Sequence, residues 1–191
     1  MTEMIFIRHA ETNLCGRFCG HADPPVNLRG KEQVRSLRVA LADSSMDRVV
    51  SSDLQRATQT AVELAEAWNL SLITCPALRE ISFGDWEALS WDEIEARDAA
   101  VAKDWLESFP QSAAPGGERF DAFRERVLGA VRSIEMEAQG ERVAVVTHGG
   151  VMRVVLQDLM GVPSDRAWQM TKPYCSVFTY RSNSPGESGR R

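Results

Sequence analysis

Two histidines and two arginines stand just beyond apolar segments of the chain, where side chains can gather around a ligand. Arg8 and His9 follow the uncharged run at residues 4–7. His148 follows a second apolar run, and Arg56 lies one helical turn into the helix after a third. Guanidinium groups bind phosphate oxygens through paired hydrogen bonds, and imidazole nitrogens can add further bonds. These residue types together predict a site for a tetrahedral dianion.

The apolar segments before these residues have the properties of strands in a parallel sheet. Short runs with bulky apolar or β-branched residues at their centre occur at 4–7, 47–50 and 142–147, as is typical of strands buried on both faces. A weaker strand is predicted at 70–75, near a sheet edge, and a last strand at 174–180. Helical patterns separate the strands, which predicts an α/β fold: a three-layer α/β/α sandwich with a mostly parallel central sheet. The carboxyl ends of parallel strands share one edge, so the four candidate residues are expected to converge there.

Amphipathic helices are predicted between the strands from apolar residues at helical spacing. They are expected near 34–41, 54–68, 120–134 and 151–160. The side chains of residues 51–53 (Ser, Ser and Asp) are of the types that cap helices, and they are expected to cap the second helix. The loop at 13–27 contains glycine and proline and is expected to lack regular structure until Gly30.

The length of the chain fits one domain. We expect 191 residues to form a single domain at 1–181, with a capping insertion at about 78–117. The polar residues 182–191 are expected to form a flexible tail.

Composition excludes several classes of partner. A net charge of -5 and a pI of about 5.3 argue against nucleic acid and acidic membranes as partners. The sequence has no secretory leader and no apolar segment long enough to span a membrane, so a cytoplasmic protein is expected. Four scattered cysteines do not predict a disulfide framework.

A metal site is the main competing interpretation of the loop at 13–27. Cys15, Cys19 and His21 have a spacing compatible with zinc, but no fourth ligand lies nearby in the sequence. The chain also lacks Walker-type and Rossmann-type glycine patterns. We therefore expect no metal and no cofactor.

Several short motifs connect the candidate residues to a known family. Arg-His-Ala-Glu-Thr stands at 8–12, and further motifs are GHADPP at 20–25, LRG at 28–30, SSDLQRA at 51–57, Glu80 followed by FGDWE at 83–87, and THGG at 147–150. These motifs resemble those of the histidine phosphatase superfamily, whose signature is RHGET and which includes the cofactor-dependent phosphoglycerate mutases. The similarity covers nearly the whole chain before the tail and implies a phosphoglycerate mutase-like fold.

The resemblance implies a role for each candidate residue. His9 would be the nucleophile that becomes phosphorylated, and Arg8, Arg56 and His148 would bind the phosphoryl oxygens. Glu80 would be the general acid and base. A neutral imidazole can attack phosphorus without adding negative charge, and water readily opens the N-phosphoryl bond. The activity implied is that of a metal-independent phosphomonoester hydrolase.

Further contacts to phosphate or substrate are expected at the rim of the site. They involve Cys15, His21 and Gly149, in addition to Arg8, Arg56 and His148. A separate set of acidic residues is expected to orient loops or cap helices: Glu11, Asp53, Glu87 and Glu118.

Three positions depart from the family pattern. Ala10 replaces the usual Gly, Cys15 stands where a phosphate-facing Asn is frequent, and Asn27 stands where Thr is frequent. We expect these changes to alter affinity more than catalysis.

Within the family, the α-ribazole phosphatases are the most similar group. The similarity rests on FGDWE, on Pro-Gly-Gly-Glu at 115–118 and on the compact insertion. It implies that α-ribazole 5'-phosphate is the leading candidate substrate and that the protein acts in cobalamin biosynthesis. The expected partner is a small phosphomonoester, and a homodimer is an open alternative for the assembly.

Two other functions and one structural question stay open at this point. The chain could be a phosphoglycerate mutase-type phosphoryl transferase, although such enzymes usually have a longer insertion, or a non-catalytic module that binds phosphate or a phosphoprotein. Trp86, Trp91 and Trp105 could stack on a flat aromatic substrate or anchor the cap to the domain.

Overall fold

The computed structural model of the chain describes residues 1–182. The tail predicted at 182–191 lies outside the described residues, except for its first member. Among the described residues, no helix is both long and apolar enough to cross a membrane.

A five-stranded sheet forms the centre of the structure. Its strands are β1 (Glu3–Arg8), β2 (Arg48–Ser51), β3 (Leu72–Thr74), β4 (Arg142–Thr147) and β5 (Val177–Arg181). They lie in the order β3-β2-β4-β1-β5, in which β1 to β4 are parallel and β5 is antiparallel to β1. The mostly parallel sheet is confirmed, as is the edge position of the weak strand β3.

Helices cover both faces of the sheet. They are α1 (Leu28–Ala40), α2 (Gln55–Trp68), α3 (Trp91–Arg97), α4 (Ala99–Ser108), α5 (Phe120–Glu137), α6 (Gly149–Val154) and α7 (Ser164–Thr171). Met4 and Phe6 of β1 pack with α5 and α6, whereas Ile5 and Ile7 pack with α1 and α2. Successive side chains of a strand point to opposite faces, so this alternation creates two cores. The predicted three-layer sandwich is confirmed.

Two helix beginnings differ from the sequence-based prediction. Helix α1 begins before Gly30, because the side chain of Asn27 accepts a hydrogen bond from the amide of Gly30 (2.7 Å) and caps the helix. The predicted cap of α2 at 51–53 is wrong, because Leu54 precedes the helix and gives no side-chain cap. The amide of Gln55 donates instead to Asp23 (2.6 Å), a distant residue.

The chain before β5 also differs from the prediction. The last strand begins at Val177 rather than at 174, because Cys175 adopts a left-handed backbone (φ 55°) that interrupts an extended segment. Helix α7 was not predicted from the sequence. It is short and mostly polar and buries only Ala167 and Thr171, so few apolar residues mark it in the sequence.

The segment at 78–117 has an aromatic cluster of its own. Trp86, Ile94, Ala102 and Ala114 are buried there, with Phe83, Leu89, Trp91 and Trp105 packed around them. Phe18, from the loop at 13–27, lies within this cluster, 5.9 Å from both Trp86 and Trp105 between ring centroids. The tryptophans therefore pack in the core of this segment and against Phe18, which supports the second of the two alternatives.

Candidate active site

The carboxyl ends of β1, β4 and β2 lie side by side, and a predicted site residue follows each strand. Arg8 pairs with Thr147 in the parallel register, and the amide of His9 donates to the carbonyl of Thr147 (2.9 Å). The amide of Ser52 likewise donates to a carbonyl of β4 (3.0 Å). The rings of His9 and His148 are consequently 5.1 Å apart between centroids.

The imidazole of His9 is buried and has a defined tautomer. Its Nδ1 lies 2.7 Å from the carbonyl oxygen of Ala10. A carbonyl can only accept a hydrogen bond, so Nδ1 carries the proton and Nε2 keeps its lone pair. Burial, followed by the charges of Arg56 and Arg8, holds the pKa of His9 well below its usual 6.5. His9 is therefore neutral at neutral pH, with a lone pair on Nε2.

His148 is fully buried beside His9. Its Nε2 is 2.8 Å from the hydroxyl of Ser52, and burial together with Arg56 lowers its pKa well below 6.5. Since Nε2 is engaged, Nδ1 is the nitrogen left for a ligand, whichever tautomer is present.

Arg56 organises the loop that faces the strand ends. The guanidinium is fully buried, and its Nη atoms donate to the carbonyls of Ala22 (2.7 Å), Gly20 (2.7 Å) and Cys19 (3.2 Å). The carboxylate of Glu87 accepts from the amides of residues 20, 21 and 22 at 2.8 to 3.0 Å. The guanidinium of Arg56 thus binds the carbonyls of this loop, and the carboxylate of Glu87 binds its amides.

Arg8 is anchored on the opposite side of the site. Its Nη1 donates to the carbonyls of Thr171 (2.9 Å) and Lys172, and its guanidinium lies 4.3 Å from the ring centroid of Tyr174. Burial lowers the pKa of Arg8 from its ordinary value.

Arg56 does not present a free guanidinium fork to a ligand, in contrast to the expectation of bidentate binding, whereas Arg8 keeps Nε and Nη2 without a hydrogen-bond partner among residues 1–182. Backbone carbonyls occupy Nη1 of Arg8 and both Nη atoms of Arg56. Five buried side-chain atoms in residues 1–182 have no hydrogen-bond partner, and three of them belong to the predicted site residues: Nε of Arg8, Nε of Arg56 and Nδ1 of His148. Buried polar atoms are nearly always paired in native proteins, so these three indicate a polar ligand. Two of these atoms belong to cationic guanidinium groups, so the expected ligand is an anion.

Glu80 lies against the beginning of α6. Its carboxylate accepts from the amides of Gly150 (2.8 Å) and Ile81 (3.0 Å). A Cβ on Gly150 would stand 2.0 Å from Glu80 Oε1, so only glycine allows this approach. The amide of α6 that could have bound an anion is therefore occupied by a carboxylate.

The rim residues predicted from the sequence take different positions. Cys15 is exposed and lies beside the hydroxyl of Tyr174, near Arg8. His21 donates from Nε2 to the carbonyl of Glu80 (3.1 Å) rather than presenting that nitrogen to a ligand. Gly149 is buried, and a Cβ there would stand 3.7 Å from Arg8 Nε.

The departures from the family pattern are accommodated locally. The methyl group of Ala10 is buried with Val26 and Val34, and its amide donates to Thr60 (3.0 Å). Asn27 caps α1 and donates to Glu11 (3.1 Å). No group of three or more His, Cys, Asp or Glu side chains within residues 1–182 is placed to hold a metal ion.

Three residues near the site were missed by sequence reasoning. Ser52 is the hydrogen-bond partner of His148, Tyr174 stacks on Arg8, and Arg153 lies one turn into α6. Burial and its neighbour Cys15 raise the pKa of Tyr174 to about 12, so its hydroxyl stays protonated. The positions of Ser52 and Arg153, which both follow strand ends, could have identified them as site residues. No feature of the sequence could have identified Tyr174.

We expect the free energy of unfolding to decrease as the pH falls below 6.5. His9 and His148 have lowered pKa values in the folded chain, so only the unfolded chain takes up their protons in this range. Each histidine then removes up to about 1.4 kcal/mol of stability per pH unit below its unfolded pKa, and has no such effect above it. Denaturant unfolding between about pH 5 and 7.5 measures this slope.

A variant can separate the two contributions. His148→Gln should lower the slope by the equivalent of one proton, whatever its effect on absolute stability. A stability that does not change across this pH range would contradict the lowered pKa values.

Known proteins share the sequence and the fold of this chain. The sequence profile of the histidine phosphatase superfamily (branch 1) matches residues 4–188. The chain is 33% identical over 164 residues to the adenosylcobalamin/alpha-ribazole phosphatase of Escherichia coli K12, covering 85% of this chain and 81% of that protein. It is 32% identical over 170 residues to phosphoserine phosphatase 1 of Hydrogenobacter thermophilus, covering 88% and 81%.

A solved structure is similar over almost the full length. The alpha-ribazole phosphatase from Shigella flexneri superposes with a TM-score of 0.85 at 30% identity, covering 95% of this chain and 91% of that chain. The fold, and not only the motifs, is therefore shared with that protein.

Proposed function

Because the chain belongs to the histidine phosphatase superfamily and is a phosphatase of small phosphorylated metabolites, we propose that it works through a phosphohistidine at His9. The observation that carries the proposal is the group of three unpaired buried atoms, Arg8 Nε, Arg56 Nε and His148 Nδ1, beside the free Nε2 of His9. A phosphoryl group provides the oxygens that these atoms lack.

The first step transfers the phosphoryl group to the enzyme. Nε2 of His9 forms a bond to phosphorus while the ester P–O bond breaks, and the leaving oxygen takes a proton from the carboxyl of Glu80. Arg8, Arg56 and His148 bind the oxygens of the transferred group. Preorganised cations of this kind stabilise charge at no reorganisation cost in the transition state.

The second step returns the enzyme to its starting state. Glu80, now a carboxylate, accepts a proton from water as the water oxygen attacks phosphorus and the N–P bond breaks. Phosphate leaves, and His9 is neutral again. General acid–base catalysis supplies only about 10²- to 10⁴-fold, so the covalent route and the buried cations must supply most of the acceleration.

The leading substrate is α-ribazole 5'-phosphate. Relatives named for this activity cover most of the chain at 30 to 33% identity. The compact segment at 78–117 also favours hydrolysis over a mutase, which must exclude water from the phosphoenzyme.

A second substrate class is favoured by Arg153. This half-buried guanidinium forms no hydrogen bond or ion pair in the part of the chain that the structure describes, although the charge of Glu80 acts on it and raises its pKa against the effect of burial. It stacks 4.7 Å from the ring centroid of Trp168, and its Nη1 lies 3.4 Å from the position of a Cβ on Gly149. Arg8 Nε lies 3.7 Å from that same position. A cation so close to Arg8 suits a phosphomonoester with a second anionic group, such as O-phosphoserine.

A panel of phosphomonoesters tests both classes by release of free phosphate. We expect the highest kcat/KM with α-ribazole 5'-phosphate in the panel of this ester, O-phosphoserine, 3-phosphoglycerate and sugar phosphates. Arg153→Gln should lower kcat/KM for O-phosphoserine by about 10- to 100-fold, because a charged hydrogen bond is lost. The same variant should leave α-ribazole 5'-phosphate unchanged within about threefold.

Arg132→Gln, on the exposed side of α5, is the matched control and should change neither substrate. Faster release of phosphate from O-phosphoserine than from α-ribazole 5'-phosphate would show that the substrate is a phosphomonoester with a second anionic group. Isomerisation of 3-phosphoglycerate without release would establish a mutase, and release from no ester would leave a binding module.

The remaining expectations from the sequence stay predictions. They are the single domain at 1–181 with its capping insertion, a homodimer and a cytoplasmic location. The proposed chemistry needs no second copy, since one chain supplies every group named above.

A further inference from the structure

Arg126 of α5 reaches across to the backbone that carries Glu80. Its Nη1 donates to the carbonyls of Ala77 (2.9 Å) and Arg79 (2.8 Å), and its Nη2 donates to the carbonyl of Glu80 (3.0 Å). One guanidinium therefore fixes three carbonyl groups within a segment of four residues.

The carboxylate of Glu118 sets the orientation of this guanidinium. Its two oxygens accept from Nε (2.7 Å) and Nη2 (2.8 Å) of Arg126, a bidentate pair with both side chains mostly buried. The ring of Phe123 lies 4.9 Å from the guanidinium on one side. All five N–H groups of Arg126 thus have acceptors, which a lysine with three N–H groups could not reproduce.

His21 reinforces the same carbonyl group. Its Nε2 donates to the carbonyl of Glu80 (3.1 Å), so this oxygen receives hydrogen bonds from both His21 and Arg126. The amides of Gly150 and Ile81 hold the carboxylate at the other end of the residue. Two side chains therefore hold the backbone carbonyl of Glu80, and two backbone amides hold its carboxylate.

We propose that Arg126, oriented by Glu118, and His21 are positioning residues that place the carboxyl of Glu80 for proton transfer. The inference rests on the proposed function, in which Glu80 is the general acid. A misplacement of about 1 Å can cost about 10²-fold in rate, so loss of this support should slow the proton-dependent step. Neither residue donates to the atoms proposed to bind the phosphoryl group.

Arg126→Lys tests the proposal against Arg124→Lys. Arg124 lies on the same helix and pairs with Asp158 at the surface. Arg126→Lys should lower kcat/KM for an alkyl phosphate by about 10- to 100-fold and for 4-nitrophenyl phosphate by less than about threefold, because nitrophenolate leaves without a proton. Arg124→Lys should change neither value.

The background of Glu80→Gln separates positioning from a general structural role. With the acid already removed, Arg126→Lys should cause no further selective loss on the alkyl phosphate. Glu118→Gln should reproduce the selective pattern with Arg126 intact, and it replaces Arg126→Lys as the test if that variant does not fold. His21→Ala should reproduce it more weakly.

Equal losses on both phosphates, or losses that add fully to those of Glu80→Gln, would overturn the inference. The proposed function fails in a different way. In that case Glu80→Gln itself would not discriminate between the two phosphates.

Discussion

Replacing His9 with Ala is expected to abolish turnover and to abolish acid-labile labelling of the protein by a phosphorylated substrate. The neutral Nε2 of His9 is the proposed nucleophile, and no other group can replace it without moving the phosphoryl group. Removal of a nucleophile typically costs on the order of 10⁴- to 10⁶-fold in kcat. Rapid quenching with a radioactive phosphomonoester, followed by acid and base treatment of the labelled protein, measures the phosphohistidine.

The control for labelling is Arg132→Gln. Arg132 lies on the exposed side of α5 and is none of the proposed site residues, so this variant should still become labelled. Acid-labile label that persists in His9→Ala would place the nucleophile elsewhere, with His148 as the neighbouring imidazole.

Replacing Glu80 with Gln is expected to slow alkyl phosphates by about 10²- to 10⁴-fold while changing 4-nitrophenyl phosphate little. Gln keeps the size of the side chain but cannot protonate the leaving oxygen. The comparison uses kcat/KM, since this parameter includes no step after the first product leaves. Slow hydrolysis of the phosphoenzyme then affects only kcat.

The phosphoenzyme offers a second measurement on the same variant. Without a base to accept the proton of the attacking water, Glu80→Gln should retain labelled His9 for longer than the unchanged protein. Equal losses of kcat/KM on both esters would remove Glu80 from the role of acid.

Local sequence patterns were sufficient to predict the sheet and the two histidines. Strands β1 and β4 are short runs of buried apolar residues, and His9 and His148 follow them directly. Parallel pairing places the carboxyl ends of strands at one edge of the sheet. The adjacency of β1 and β4, which the sequence analysis did not predict, then brings the two imidazoles together. The family motifs then implied the roles of Arg56 and Glu80.

Contacts between distant parts of the chain could not be predicted in the same way. The Nη atoms of Arg56 bind carbonyls of a loop more than thirty residues earlier, and its buried Nε has no partner. Asp23 supplies the acceptor at the start of α2 in place of the local serines. Such pairings depend on how the loop folds back, and a local pattern contains no information about that path.

Phe18 also bears on how a chain of this kind can change during evolution. Its ring lies within the aromatic cluster of the cap, and it precedes the loop whose carbonyls bind Arg56. Its amide and carbonyl pair with Leu89 and Ala88 of the cap (2.8 and 2.7 Å). A replacement of the segment at 78–117 must therefore provide a place for this ring, or the loop that binds Arg56 loses its support. The two segments depend on each other, although about seventy residues separate Phe18 from Ala88 along the chain.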